Sequence, residues 1–360
     1  MKRAFISDCE GPISKNDNAF ELTAHYVPNG DKLFIIISRY DDVLAEVVQK
    51  PGYKAGGTLK LILPFLKAYG VTDQKTEQFS AKNLVLITGA KETLSHVRTV
   101  AEAFIVSTSY EHYIRAMCHI LDFPCKNTYC TRVSIDQYGL VAGERTKLEK
   151  IAQEISQLPL FDFPLGAESL SDLSETAQET VRRLDSIFWD EIAGMKIGRV
   201  FSEVDPMGGR EKAAAVRDIG KKLGIPLSEA MYVGDSITDG EAFKLIKDEG
   251  GLAVSFNGNQ YAVKNAEIAL LSENSTVTAV IADVFCRLGK QQALSLARNW
   301  TREILHKSAT DKALLDRLFK LYPRMLPKVK IVTRENMETL AEESSQFRKK
   351  VRGEAVGRLG

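Results

Sequence analysis

The sequence lacks the features that would mark a membrane, secreted or nucleic-acid-binding chain. It has no long apolar run. Its longest apolar stretch, Leu59 to Val71, is broken by Lys60, Pro64 and Lys67, which is too short and too charged to span a bilayer. No charge of one sign is in surplus: 48 basic and 47 acidic residues leave a formal net charge of +1. That balance gives no reason to expect nucleic acid or an anionic membrane surface as a partner. Cysteines are few, odd in number and without a CxxC: Cys9, Cys118, Cys125, Cys130 and Cys286. A disulfide framework is therefore not expected, and a reducing cytoplasm is. Met1-Lys2-Arg3 is basic, but Asp8 and Glu10 interrupt the apolar run that a secretory leader needs.

The composition is that of a globular protein. The 360 residues are 44% hydrophobic and 26% charged, enough apolar material for a sizeable core. Short apolar runs alternate with helical patterns. Ala4-Phe5-Ile6-Ser7 ends at Asp8, Ala103-Phe104-Ile105-Val106 at Ser107, and Met231-Tyr232-Val233 at Gly234-Asp235. Leu252 to Phe256 and Ile268 to Leu271 read as further strands, and Arg199-Val200-Phe201 as a short one. The pattern predicts an α/β fold with a parallel sheet. In such sheets the ligand site lies beyond the C-terminal strand ends, where Asp8, Ser107 and Asp235 fall.

The polar residues at those ends suit one chemistry. Asp8, Glu10, Asp235 and Asp239 would repel one another unless a cation sat among them, and no cationic group lies near them in sequence in sufficient number. Hard carboxylate oxygens suit Mg2+, which also bridges phosphate oxygens. Lys212, at the start of a predicted helix, and the Ser107 hydroxyl supply a charge and a donor for an anion. Metal, lysine, hydroxyl and a spare carboxylate make a phosphoryl-transfer site.

These segments resemble the four motifs of the haloacid-dehalogenase (HAD) superfamily. Asp8-Cys9-Glu10-Gly11 is similar to its DxDG, Ile105-Val106-Ser107 to its apolar strand ending in Ser or Thr, Gly208-Gly209-Arg210-Glu211-Lys212 to its lysine segment, and Gly234 to Asp239 to its GDxxxD. The resemblance implies a Rossmann-like core and a Mg2+-dependent phosphohydrolase acting on a small phosphorylated metabolite. By position, Asp8 would be the nucleophile forming an aspartyl-phosphate, and Glu10 the general acid/base. Ser107, Thr108 and Lys212 would hold phosphate. Asp8, Asp235, Asp239 and the Glu10 carbonyl would bind Mg2+. Asn257 would lie near the phosphate, as in phosphoserine-phosphatase-like members. Those phosphatases usually carry Asp where Glu10 stands. Glutamate reaches about one methylene further, and a misplacement near 1 Å can cost on the order of 100-fold in rate.

The resemblance also divides the chain. Residues 1–13, 85–140 and 199–290 would form the core and 14–84 a helical cap with hinges near 12–16 and 82–89. Residues 141–198 would form a second helical insert and 291–360 a helical C-terminal extension. This layout is similar to an archaeal branch of the superfamily sometimes labelled energy-converting hydrogenase A subunit R. It implies a rival reading, a weakly active or inactive subunit with a binding or regulatory role in a larger complex. A homodimer or a protein-complex partner fits either.

Simpler readings compete at several positions. His112, Cys118, His119, Cys125 and Cys130 match no standard zinc spacing and read as core or surface residues. Cys9 alternates away from the two acids that flank it. The basic run Arg348-Lys349-Lys350 with Arg352 reads as a solvated helix face.

Overall fold

The computed structural model describes residues 2–164, 166–357 and 359. Its centre is a seven-stranded sheet made of β1 (Ala4–Ser7), β2 (Glu102–Tyr110), β3 (Thr128–Thr131), β4 (Ala230–Gly234), β5 (Leu252–Phe256), β6 (Ile268–Leu271) and β7 (Lys328–Ile331). The strand order is β3-β2-β1-β4-β5-β6-β7. All neighbours run parallel except β7, which pairs antiparallel with β6. The expected α/β architecture, a Rossmann-like parallel sheet with helical additions, is the one observed.

The period-two alternation of the strands sorts their side chains. Phe5, Ile105, Val233 and Val254 join one buried cluster, under the helices Ala90–Val100, Glu111–Leu121 and Thr276–Leu288. Ala4, Ile6, Val106, Tyr232 and Ala253 join another, under Gly209–Leu223 and Gly240–Asp248. Both faces are covered, so the central strands are apolar throughout, as parallel strands require. The spacing of Val216, Ile219 and Leu223 predicts one apolar helix face; in the helix Gly209–Leu223 the first two are buried and Leu223 is partly buried.

A third cluster lies in the helical segments. The helices Asn18–Tyr26, Gly30–Asp42 and Thr58–Ala68 share it with Glu144–Gln157 and Glu175–Asp185. The helical spacing of Leu148, Ile151, Ile155 and Leu158 predicts one apolar face; the first three are buried in this cluster and Leu158 is partly buried against it. The two insertions therefore pack on each other around one apolar centre that includes Phe65 and Phe188. The chain enters and leaves the first insertion through a paired ribbon: Lys15 N donates to the Val85 carbonyl and Ile87 N to the Ile13 carbonyl, both at 2.8 Å.

The secondary structure differs from the sequence reading in three places. Arg199-Val200-Phe201 is helical, with Val200 buried among the inserted helices. Thr128–Thr131 adds an unanticipated strand at one edge. Lys328–Ile331 adds another at the opposite edge, inside a stretch expected to be helical. Among the described residues, no helix is long and apolar enough to cross a membrane.

Candidate active site

Strand register assembles the site. Ser7 of β1 is level with Ile105 of β2 and Val233 of β4. Asp8 then follows one residue past its strand, and its amide donates to the Val233 carbonyl at 2.8 Å. Asp235 leaves the end of β4 beside it. Asp239 returns by one tight turn in which the Ser236 and Asp239 side chains cap each other's backbone. All three carboxylates are buried, and each offers an oxygen within 4.8 Å of the others. Gly11 makes this approach possible. Its φ is +105°, and a Cβ there would lie 2.1 Å from Asp235 Oδ2, so a side chain would drive the two loops apart.

Lys212 enters from the first turn of the Gly209–Leu223 helix and is 0% exposed. Its Nζ donates to Asp8 Oδ2 at 2.5 Å and to Asp239 Oδ1 at 2.8 Å. Burial works against its charge, but Asp239 and Asp8 outweigh it and hold its pKa above the ordinary lysine value. Asp239 also accepts from Tyr232 Oη at 2.7 Å and from the Asp235 and Ser236 amides at 2.9 and 3.0 Å. With these donors and the Ser236 hydroxyl on its two oxygens, Asp239 fixes Lys212 and the loop. Asp8 accepts from the Cys9 amide at 2.6 Å. Burial pushes its pKa up to about 6 against the pull of Lys212.

Glu10 accepts from the Asn18 amide at 2.7 Å. Burial, followed by the charge of Asp17, pushes its carboxyl up to about 8. It lines a cavity of about 100 Å³ that Asp8, Thr108, Ser109 and Asp235 share with Phe34, Ser38, Asp41 and Thr58 of the first insertion. That insertion is tied to the Lys212 helix: Lys54 Nζ lies 2.6 Å from Glu211 Oε1.

The other sequence-predicted residues are placed less directly. Ser107 is buried, and its hydroxyl lies 3.0 Å from that of Ser109, which faces the cavity in its stead. Thr108 lines the cavity and donates to Thr238 Oγ1 at 3.4 Å. Asn257 has φ +48°. Its amide group donates to the Ser272 carbonyl at 2.8 Å and accepts from the Ser272 amide at 2.9 Å. Both its polar ends are thus spent joining the tips of β5 and β6. Cys9 packs into the core, where burial raises its thiol well above the ordinary value. His112 is bonded through Nε2 to Asp73 at 3.0 Å.

The basic run near the end of the chain is the main correction. Arg348 is 2% exposed. From the helix Met337–Arg352 it donates to the Asp235 carboxylate, and to the Leu359 carbonyl at 3.2 Å. Arg352 donates to the same Asp235 Oδ2 at 3.1 Å, to the Lys15 carbonyl at 3.0 Å and to the Asn16 carbonyl at 2.5 Å. Three cations, Lys212, Arg348 and Arg352, therefore stand against the three carboxylates Asp8, Asp235 and Asp239. A signal was present in the sequence: Arg348 falls in the buried stripe of its helix with Leu340, Ser344 and Val351, where an apolar residue would ordinarily stand.

The donor set fits a hard divalent cation, since three aspartates converge within ligand reach of one another.

No known family model matches this chain, and no curated protein does. Among solved structures, the chain is similar over its whole length to gene product AF1437 from Archaeoglobus fulgidus, with 28% identity, 99% of that chain covered and a TM-score of 0.80. A substrate-bound phosphoserine phosphatase is a more distant likeness, at 13% identity over 76% of this chain and 95% of that one, with a TM-score of 0.45. Another is a phospho-aspartyl intermediate analogue of phosphoserine phosphatase, at 15% identity over 74% and 92% and a TM-score of 0.45. The fold is thus shared from end to end with the Archaeoglobus protein, and none of these likenesses bears on a hydrogenase complex.

Proposed function

We propose that the protein is a Mg2+-dependent phosphohydrolase of the HAD type, acting on a small phosphorylated metabolite. The observation that carries this reading is the buried Asp8–Lys212–Asp239 triad at the β1 and β4 ends, with Asp235 beside it. Asp8 would attack phosphorus, giving an aspartyl-phosphate and releasing the alcohol. Lys212 would hold the transferring phosphoryl oxygens while Asp239 holds Lys212. Thr108 and Ser109 supply hydroxyl donors at the cavity wall. Glu10, with its carboxyl near 8, carries the proton that the leaving oxygen needs and then takes one from the water that cleaves the phosphoenzyme. A divalent cation held by Asp8, Asp235 and the Glu10 carbonyl would supply charge neutralisation and in-line orientation. Asn257 is assigned a bracing role because its amide is spent on Ser272.

The segment 14–84 would act as the lid. It contributes Phe34, Ser38 and Thr58 to the cavity wall, and its hinges would lie near 12–16 and 82–89, around the ribbon that pairs Lys15 with Val85 and Ile87 with Ile13. A cavity of about 100 Å³ has room for several water molecules and hence for a small group. The 141–198 insert would stiffen the lid, and the C-terminal extension would close the site from the other side.

A second reading is favoured by one observation, the neutralisation of Asp235 by Arg348 and Arg352. In it the protein is a weakly active or inactive subunit with a binding or regulatory role in a larger complex, such as an energy-converting hydrogenase. Purified protein assayed on a panel of small phosphate esters with Mg2+ and with EDTA separates the two. Mg2+-dependent release of phosphate that EDTA abolishes supports the enzyme. No release from any ester supports the subunit.

A further inference from the structure

Asp235 is drawn into two roles that compete. As part of the three-aspartate group it is placed to bind a divalent cation, an assignment that rests on the proposed function. Yet Arg348 and Arg352 both donate to its Oδ2. A cation drawn to the same buried carboxylate would sit beside two guanidinium charges, and like charges at such short range in a buried site repel strongly.

The two arginines reach further than Asp235. Arg352 grips the carbonyls of Lys15 and Asn16, which lie in the ribbon joining the first insertion to the core. Arg348 grips the carbonyl of Leu359, and Leu359 itself lines the cavity. Its Nε is buried without a partner. With its ion pair lost, a buried arginine is left uncompensated, which is strongly unfavourable.

We propose that Arg348 and Arg352 form a latch that occupies Asp235 in the metal-free protein, and that divalent-cation binding displaces it, loosening the end of the Met337–Arg352 helix and freeing the hinge ribbon at Lys15 and Asn16. Metal affinity and helix docking are then linked. Whatever weakens the latch tightens the metal, and the metal weakens the latch by the same factor.

The test uses the full chain and Mg2+ alone. Isothermal titration compares wild type, Arg348→Met, Arg352→Gln and Asp235→Asn. Amide hydrogen exchange follows residues 345–357 with and without Mg2+. Arg348→Met should bind Mg2+ about 5- to 150-fold more tightly, the usual span of such couplings. Arg352→Gln should shift in the same direction, which covers the case in which Arg348→Met does not fold. In wild type, saturating Mg2+ should speed exchange at 345–357. If Asp235→Asn abolishes binding but neither arginine variant binds more tightly and exchange is unchanged, the latch is wrong and the metal site stands. If Asp235→Asn binds Mg2+ as wild type does, or if no form binds it, the metal reading falls and the latch falls with it.

Discussion

Lys212 and Asp8 form an ion pair of 2.5 Å in which the side chains are 0% and 6% exposed. The lysine shares its ammonium with Asp239, so removing it strands two buried carboxylates. Breaking a buried pair from one side typically costs about 3–5 kcal/mol. Lys212→Met should therefore lower stability by about that amount in urea melts and remove phosphate-ester hydrolysis as well. A variant as stable as wild type would mean that the carboxylates are protonated or solvated in solution.

Glu10 and Asp8 should separate kinetically. Glu10→Gln keeps the attacking carboxylate but removes the proton donor and acceptor, a loss typical of about 100- to 10,000-fold. With p-nitrophenyl phosphate the leaving group needs little protonation. Rapid-quench kinetics should then show a burst of nitrophenolate followed by slow turnover. Glu10→Asp should keep or raise activity. Wild-type rates for Glu10→Gln on alkyl phosphates would make Glu10 a structural acid only.

Asp42, on the first insertion, gives a pH signature of its own. Burial, then the charge of Asp41, pushes its carboxyl up to about 8 from 3.8, against the pull of Arg39 and with Glu46 adding repulsion. In the unfolded chain it loses its proton near the ordinary value. Between the two values the folded state binds more protons, so stability falls as pH rises through that window. One group contributes a slope of at most about 1.4 kcal/mol per pH unit. Asp42→Asn should gain on wild type steadily from pH 5 to pH 8 and hold a constant advantage above it. Urea melts at pH 5, 7 and 9 measure this, and an equal shift at all three would contradict it.

Part of this site was legible in the sequence. Asp8, Lys212, Asp235 and Asp239 stand at strand ends or a helix start, and local order alone brings such positions together in a parallel sheet. The helical insertions were legible from the spacing of Leu148, Ile151 and Ile155. The stripe of Leu340, Ser344, Arg348 and Val351 hinted that Arg348 is buried, but its partner and that of Arg352 were not legible, because Asp235 is 113 and 117 residues away and a basic helix end ordinarily faces water. Nor was the β7 strand. Lys328-Val329-Lys330-Ile331 is only four residues long, with lysines on one side, and edge strands of that kind carry little apolar signal. Val200 misled in the opposite direction, since a β-branched residue was drawn into a helical turn by burial among the inserted helices.

The most direct measurement is acid-quench mass spectrometry during turnover of p-nitrophenyl phosphate with Mg2+. The peptide containing Asp8 should gain one phosphoryl group in wild type, gain more of it in Glu10→Gln, and gain none in Asp8→Asn, which should also be inactive. Hydrolysis that proceeds without any phosphoryl gain on that peptide, or at the wild-type rate in Asp8→Asn, would show that Asp8 is not the nucleophile.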